Sequence, residues 1–310
     1  MWKEAREVKE WVRVRVPATT ANLGPGFDCI GVALDLYNYF EFRSVASGLH
    51  IRFRGNDHVS LGKENLVFRA FSRVFEVVGQ PLPGLEINLE LNVPLSRGLG
   101  SSATAIVGGL LGANALGDLN LSLETLLQLA IALEGHPDNV VPALKGSCQL
   151  SVQSQQGGWT FCPIDWHEEI HFVIAVPDFK VSTQTARSVL PKTVSLADAV
   201  FTAGHLGLLV RALETGNPHW LQVALQDRLH QPARLNLITG FNTVQTAAQA
   251  AGAYGVVISG AGPTLLAFCG ADRCPEVSDA MVNAWKQLDV EAAPLLLQVD
   301  RVGGQVLAVN

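Results

Sequence analysis

The chain is short of cysteine and has no surplus of positive charge, and each shortage excludes a class of protein. Its five cysteines are scattered over 310 residues, with no C-x-x-C pair and no zinc-site spacing, which favours free thiols in a reducing compartment. Aspartate and glutamate outnumber lysine and arginine by 28 to 22, so the formal net charge is −6. Because nucleic acids and anionic membranes are bound through basic surfaces, neither is expected as a partner.

An uninterrupted apolar run long enough to cross a bilayer is also missing. Residues 235–271 carry no charged side chain, but glycines and a proline interrupt them, among them Gly252, Gly255, Gly260, Gly262 and Pro263. This pattern predicts the end of a helix, a buried strand, a tight turn and a second buried strand. The first sixteen residues, MWKEAREVKEWVRVRV, lack the apolar centre of a targeting peptide, so we expect a cytoplasmic protein.

Length and composition favour two domains, since 310 residues exceed the usual size of one core and 48% of them are apolar. Strands are expected at residues 11–16, 31–43, 50–54, 85–92 and 171–176, with a hairpin at 147–163. Helices are expected at 64–79, 122–134, 183–190 and 241–251, with a helical stretch at 195–230. Because strands and helices alternate without regular βαβ spacing, we predict an α+β fold with domains at residues 1–160 and 161–310.

The stretch VPLSRGLGSSATAIVGGLLGA, residues 93–113, is rich in glycine and serine but has no lysine. Ser101 follows Gly100 where a P-loop requires lysine, so an ordinary P-loop is excluded. A helix that begins after a glycine run still points free N–H groups and its positive dipole end at the loop, which suits an anion such as phosphate. Hydroxyls of Ser101, Ser102 and Thr104 would add to such a site. The alternative is a plain turn before a tightly packed helix.

A second polar group follows the helix expected at 122–134. Glu134 ends that helix, where the negative end of the dipole disfavours a carboxylate unless a cation such as Mg²⁺ lies nearby. A solvated or arginine-paired glutamate is the alternative. His136, Asp138 and Asn139 come next, between a glycine and prolines, which predicts a rigid turn rich in donors and acceptors. A lone histidine such as His136 is more often structural than functional.

Three motifs, in the expected order and across nearly the whole chain, resemble those of the GHMP kinases. They are PATTANLGPGFDCIGVALDLYN (17–38), PLSRGLGSSATA (94–105) and ISGAGPTLLAF (258–268). EGHPDN (134–139) and STQTAR (182–187) resemble the members that phosphorylate homoserine. The resemblance implies an N-terminal domain like ribosomal protein S5 domain 2 and a C-terminal ferredoxin-like α+β domain. It also implies a homodimer that transfers the γ-phosphate of ATP to the side-chain hydroxyl of L-homoserine, in threonine biosynthesis.

The same resemblance implies roles for individual residues. The ATP phosphates are expected at Pro94, Leu95, Ser96, Arg97, Gly98, Leu99, Gly100, Ser101, Ser102, Ala103 and Thr104. The Mg²⁺ ligands are expected to be Ser102 and Glu134. The amino acid substrate is expected at Asn22, Asp28, His136, Asn139, Thr183, Arg187 and Arg234. These residue types suit an amino acid, because arginine binds a carboxylate bidentately and Asp28 can pair with an ammonium. The alternative for each arginine is a place on the surface.

Phosphoryl transfer depends chiefly on alignment and charge neutralisation, so we expect Asn139 to position the substrate hydroxyl without a dedicated base. Asparagine cannot take a proton at neutral pH, whereas Asp138 can, which makes Asp138 a candidate base. The turn at 260–262 is expected to shape the substrate side. The alternatives are a mevalonate-type GHMP kinase, which has less use for both Asp28 and two arginines, and a non-catalytic ligand-binding relative.

Overall fold

The structure is a computed structural model that describes residues 11–54 and 59–308. Residues 1–10, where no targeting peptide is expected, lie outside the described residues. The strands are β1 (Val12–Asn22), β2 (Gly26–Val45), β3 (Leu49–Arg54), β4 (Gly84–Glu90), β5 (Cys148–Gln153), β6 (Trp159–Ile164), β7 (His171–Pro177), β8 (Gly255–Ile258), β9 (Leu265–Cys269), β10 (Ala292–Leu295) and β11 (Gln305–Leu307). The helices are α1 (Leu66–Val77), α2 (Ser101–Gly117), α3 (Leu123–Glu134), α4 (Pro137–Lys145), α5 (Thr183–Ser188), α6 (Leu196–Thr215), α7 (Pro218–Ala224), α8 (Gln231–Arg234), α9 (Phe241–Ala250) and α10 (Cys274–Lys286).

The first sheet has the strand order β11-β1-β2-β4-β3, and β5 joins it by pairing with β2 and β6. Its pairs are antiparallel except for β3 with β4. The first motif forms the long β1–β2 hairpin, in which Asn22 lies opposite Gly26. Helices α1 to α4 share one core with this sheet, which includes Phe42 and Phe71. The tip of the hairpin reaches the second half of the chain, since a Cβ atom added at Gly24 would lie 2.7 Å from the Leu225 carbonyl oxygen.

Helix α2 consists of small residues because it is packed on two sides. A Cβ atom added at Gly108 would lie 2.4 Å from the Phe40 ring, and one added at Gly109 would lie 2.3 Å from the Val67 carbonyl oxygen. The helix is therefore wedged between β2 and α1, where larger side chains have no room. This packing fixes the direction in which the start of α2 points.

The second sheet has the order β10-β7-β9-β8. Helices α9 and α10 pack on one of its faces, around Phe241, Met281 and Trp285. The other face meets the first sheet and helices α6 and α7 in a third core. The α+β fold class is confirmed. The division at residue 160 stays a prediction, and the last strand, β11, returns to pair with β1.

The helical stretch expected at 195–230 contains two helices, because Gly216 ends α6 with a φ of +71° and Asn217 caps α7 ahead of its first residue, Pro218. The rigid turn expected after Glu134 is instead helix α4, since Pro137 occupies a first-turn position where proline suits a helix. Helix α10 and strands β10 and β11 lie in a part of the chain for which no element was predicted. All five cysteines are free thiols, as expected.

Among the described residues, one helix, α6, is long and apolar enough to span a membrane by length and composition, which is weak support for a span. Much of it is exposed, with Leu196 at 81% and Val200 at 65%. No charged side chain lies between Asp198 and Arg211. The uncharged residues 235–271 instead form α9, β8 and β9, in agreement with the expected helix end and two buried strands.

Candidate active site

A cavity of about 380 Å³ opens where the glycine-rich loop, the start of α4 and the turn after β8 meet. Most of the site residues expected from the sequence line it. They are Asn22, Asp28, Leu95, Ser96, Arg97, Gly98, Gly100, Ser101, Ser102, Glu134, His136, Asp138, Asn139, Thr183, Arg187 and Arg234. The structure therefore gathers the two predicted halves of the site, phosphate loop and amino acid subsite, around one space.

The glycine-rich loop docks on the turn that follows β8. A Cβ atom at Gly98 would lie 2.2 Å from the Ser259 carbonyl oxygen, and Ser259 Oγ donates to the Gly98 carbonyl oxygen at 2.7 Å. The Gly260 carbonyl oxygen in turn accepts hydrogen bonds from Asn22 Nδ2 at 2.7 Å and Arg234 Nη1 at 3.0 Å. This turn thus connects the predicted phosphate loop to the predicted substrate side.

Four residues of the predicted phosphate loop do not line the cavity: Pro94, Leu99, Ala103 and Thr104. Leu99 and Ala103 are fully buried in the hydrophobic cores. The Thr104 hydroxyl is engaged inside the protein, since it donates to the Ser101 carbonyl oxygen and accepts from Asn38 Nδ2. The hydroxyl of Thr104 is thus directed away from any ligand, in contrast to those of Ser101 and Ser102.

Ser102 and Glu134 lie side by side at the start of α2 and the end of α3. Ser102 Oγ donates to Glu134 Oε2 at 2.6 Å. Burial raises the pKa of Glu134, against the lowering effect of the Ser102 hydrogen bond. A carboxylate held at the negative end of a helix and partly desolvated is stabilised by a cation, and hydroxyl and carboxylate oxygens are ligands that Mg²⁺ prefers. This pair therefore fits a divalent metal ion.

His136 and Asp138 pair at the N-terminus of α4, where His136 Nδ1 lies 2.5 Å from Asp138 Oδ1. Burial is the largest single effect on His136 and opposes its charged form, but the hydrogen bond to Asp138 and the negative charges of Asp138 and Glu134 together outweigh it and raise the pKa of His136. The next residue, Asn139, accepts a hydrogen bond from Thr19 Oγ1 at 2.8 Å through its Oδ1. Thr19 was not expected at the site, and its partner lies 120 residues away in sequence.

The charged end of the cavity holds two arginines and one aspartate. Arg187 donates two hydrogen bonds to Asp28, at 2.7 and 3.0 Å, with both side chains about one-third exposed. Arg234 is only 2% exposed, so the alternative of a surface arginine is wrong for this residue. Asp28 and Arg187, expected to bind opposite ends of an amino acid, thus bind each other in the structure.

The other end of the cavity is apolar, and none of its residues was predicted from the sequence to belong to the site. Its lining includes Val59, Leu66, Leu89 and Leu91. Asn65 lies beside them, where it caps α1 by accepting from the backbone of Val67 and Phe68. The capping asparagine before an amphipathic helix was the available signal, but capping residues are common at helix starts outside binding sites. An apolar recess beside an anion site suits a ligand with a flat ring and a phosphate chain.

Comparison with known proteins agrees with this arrangement. The family description "GHMP kinases N terminal domain" matches residues 65–147, and "GHMP kinases C terminal" matches residues 209–287. The chain belongs to the GHMP kinase family, which confirms the resemblance of its motifs. Within that family it is 53% identical to a curated homoserine kinase of Synechococcus sp., over 95% of this chain and 97% of the relative.

Solved structures show the same fold. The crystal structure of homoserine kinase from Cytophaga hutchinsonii matches with a TM-score of 0.88 and 31% identity, over 98% of this chain and 99% of that chain. L. major mevalonate kinase, solved in complex with R-mevalonate, matches with a TM-score of 0.71 over 98% and 99% of the two chains. At 17% identity, the second likeness concerns the fold alone.

Proposed function

We propose that this kinase phosphorylates the side-chain hydroxyl of L-homoserine with ATP and makes O-phospho-L-homoserine. The observation that carries the proposal is one cavity with a phosphate-type loop in its wall and an Asp28, Arg187 and Arg234 group at one end. The identity of about half of all residues with curated homoserine kinases supports the same substrate. An amino acid with a hydroxyl side chain fits both parts of this cavity, because its hydroxyl can accept a phosphoryl group and its charged groups can pair with Asp28 and the two arginines.

ATP binds along the cavity in this proposal. Its phosphates lie against the backbone from Leu95 to Ser102, where the N-terminus of α2 supplies N–H groups and a positive dipole end. Gly98 and Gly100 let this backbone pack closely against Ser259 and Thr19, which holds the loop in place. The nucleoside occupies the apolar end near Leu89 and Leu91. Both placements use surfaces that the structure leaves open to the cavity.

Ser102 and Glu134 would hold a magnesium ion. Among the described residues no cluster of three or more histidines, cysteines or acidic residues exists to bind a metal, so other ligands would come from phosphate oxygens and water. Bound there, Mg²⁺ neutralises phosphate charge during transfer. The protein's own contribution is a fixed pair of oxygen ligands next to the loop.

The substrate binds at the charged end. Arg187 and Arg234 hold its carboxylate, and Asp28 holds its ammonium group. Asn139, fixed by Thr19, hydrogen-bonds the hydroxyl and aims it at the phosphate chain. Thr183, Asn22 and His136 complete the wall.

Alignment rather than a dedicated base drives the transfer. Asp138 is 2% exposed, and its Oδ1 is already engaged by His136. Asp138 therefore orients His136 and the start of α4 in this proposal. A loose transition state needs little proton removal before the phosphoryl group moves.

A cytoplasmic homodimer completes the proposal. The exposed face of α6 has no charge over residues 199–210 and carries Ala203, Gly204 and Gly207, which let a second helix approach closely. A Cβ atom added at Gly204 or Gly207 would meet no atom of this chain within 4 Å. Two copies of this face can pack against each other, and Gly204→Glu would then yield monomers in sedimentation experiments.

An ADP-release assay with Mg²⁺ and ATP tests the function. L-homoserine should support turnover, whereas L-serine, L-threonine and mevalonate at equal concentration should not. Arg234→Ala should raise the KM for L-homoserine and leave the KM for ATP unchanged, and the exposed Arg73→Ala serves as the matched control. Turnover with mevalonate alone would contradict the proposal.

A further inference from the structure

His230 is a fully buried histidine that none of the roles above uses. Its Nε2 lies 2.9 Å from the Gly24 carbonyl oxygen, and its Nδ1 lies 3.2 Å from Arg234 Nη1. A carbonyl oxygen only accepts hydrogen bonds, so Nε2 carries the proton. A guanidinium only donates, so Nδ1 is the acceptor. The two neighbours therefore fix a neutral imidazole in its Nε2–H form.

The surroundings of His230 keep this form at neutral pH. Burial lowers the pKa of His230 to about 4, and the charge of Arg234 acts in the same direction. Asp227, 3.6 Å away, opposes this effect, but its carboxylate already accepts from the backbone N–H groups of residues 229–231. The imidazole is therefore available as a hydrogen-bond acceptor throughout the physiological range.

Arg234 is held by three hydrogen bonds and an aromatic ring. Nε donates to the Ala186 carbonyl oxygen at 3.2 Å, and Nη1 donates to the Gly260 carbonyl oxygen and to His230. None of these three bonds uses Nη2. The Phe27 ring stacks on the His230 ring at 5.0 Å and lies 5.2 Å from the Arg234 guanidinium carbon. Phe27 thus keeps the imidazole and the guanidinium in a fixed relation.

A neutral acceptor suits this position better than a charged one. A carboxylate at the place of His230 would neutralise Arg234 and compete with a substrate carboxylate for it. With an apolar side chain at this position, the buried Nη1 group would keep only its hydrogen bond to the Gly260 carbonyl oxygen. The guanidinium would then be freer to rotate. Neutral imidazole orients Arg234 and leaves its full positive charge for the ligand.

We propose that His230 is a positioning residue for substrate recognition: through Nδ1 it orients Arg234 so that Nη2 meets the carboxylate of the amino acid substrate. The inference rests on the proposed function, since it assigns Arg234 to the substrate carboxylate. His230 acts on binding of the acceptor and leaves ATP binding and the transfer step alone.

Two substitutions separate the two nitrogen atoms. In His230→Asn the amide oxygen falls near the position of Nδ1 and can accept from Arg234. In His230→Gln the amide nitrogen reaches the position of Nε2 and can donate to Gly24, but the bond to Arg234 is lost. We expect His230→Gln to raise the KM for L-homoserine by about tenfold, with kcat and the KM for ATP nearly unchanged, and His230→Asn to stay near wild type.

Equal KM values for L-homoserine in His230→Gln and wild type would overturn the inference. So would parallel losses of kcat and ATP affinity in both variants, because these indicate a structural role only. If wild type does not turn over L-homoserine, the proposed function is wrong. If wild type turns over L-homoserine but His230→Gln leaves its KM unchanged, only the role of His230 is wrong. Should a variant not fold, ¹⁵N NMR of the wild-type histidine rings decides: the Nε2–H form supports the inference, and the Nδ1–H form refutes it.

Discussion

Replacing Gly100 with alanine tests how the phosphate loop supports the substrate side of the cavity. Gly100 has a φ of +68°, and a Cβ atom there would lie 1.9 Å from Thr19 Oγ1. Thr19 is fully buried and donates the hydrogen bond that fixes Asn139. The alanine must therefore displace Thr19 and break its bond to the residue that we assign to the substrate hydroxyl.

Three costs add up in this variant. A left-handed alanine costs about 1 kcal/mol. Displacing Thr19 in a packed interior adds about 1–3 kcal/mol, and leaving the Asn139 oxygen without its donor adds about 1–3 kcal/mol. Gly79 isolates the first cost, because its φ is +66° and nothing lies within 4 Å of an added Cβ atom. Gly100→Ala should thus be less stable than Gly79→Ala by about 4 kcal/mol.

Thermal unfolding measures that difference, which corresponds to about 6 °C for a chain of this size. The ADP-release assay should show kcat for L-homoserine reduced at least about tenfold in Gly100→Ala and unchanged in Gly79→Ala. Thr19→Ala removes the hydrogen bond without the strain, so it should lower kcat with a smaller loss of stability. Equal stability and equal kcat in the two glycine variants would refute the reasoning.

Three other side chains give predictions of known sign. Glu134→Gln should raise the Mg²⁺ concentration for half-maximal activity by at least about tenfold. Burial raises the pKa of Glu134 and Mg²⁺ binds the deprotonated form, so wild type should also need more Mg²⁺ as the pH falls. A Mg²⁺ requirement that does not change with pH would argue against Glu134 as a ligand. Arg187→Lys keeps the charge but loses the bidentate contact with Asp28, so the KM for L-homoserine should rise about tenfold, and an unchanged KM would remove Arg187 from the substrate site. His230, with a pKa lowered from 6.5 to about 4, contributes stability that is complete above pH 6.5 and lost as the pH falls towards 4, because the unfolded chain takes up the proton first. Urea unfolding at pH 7.5 and 5.0 should show wild type losing about 2 kcal/mol more than His230→Asn, whereas equal losses would contradict the assigned pKa.

The features predicted well depend on residues close in sequence. The helix expected at 122–134 begins where predicted, since the Ser122 side chain accepts from the Thr125 N–H at the start of α3. The hairpin at 147–163 turns where expected, between β5 and β6. Alternating or helical periodicity and capping residues act over a few positions, so the sequence displays them directly.

What escaped prediction depends on contacts between distant parts of the chain. Thr19 with Asn139, and Gly24 with His230, join residues 120 and 206 positions apart, and no local pattern marks either pair. Helix α4 escaped for another reason. Its Pro142 lacks the N–H that would bond to the Asp138 carbonyl oxygen, and a Cβ atom at Gly31 would lie 1.6 Å from that oxygen. An internal proline and two flanking glycines favour a turn by local pattern, and the contact of α4 with β2 is not visible in the sequence.

The pairing of Asp28 with Arg187 bears on how the site selects an amino acid. Without substrate, each charge compensates the other across the cavity. In the proposed binding mode a zwitterion replaces this pair with two new pairs, its ammonium on Asp28 and its carboxylate on the arginines, so neither charge of the protein loses its partner. Mevalonate carries a carboxylate but no ammonium, and its binding would draw Arg187 away and leave Asp28 unpaired. Since a hydrogen bond to a charged group contributes about 1.5–3 kcal/mol, the unpaired Asp28 alone disfavours mevalonate by about tenfold to a hundredfold.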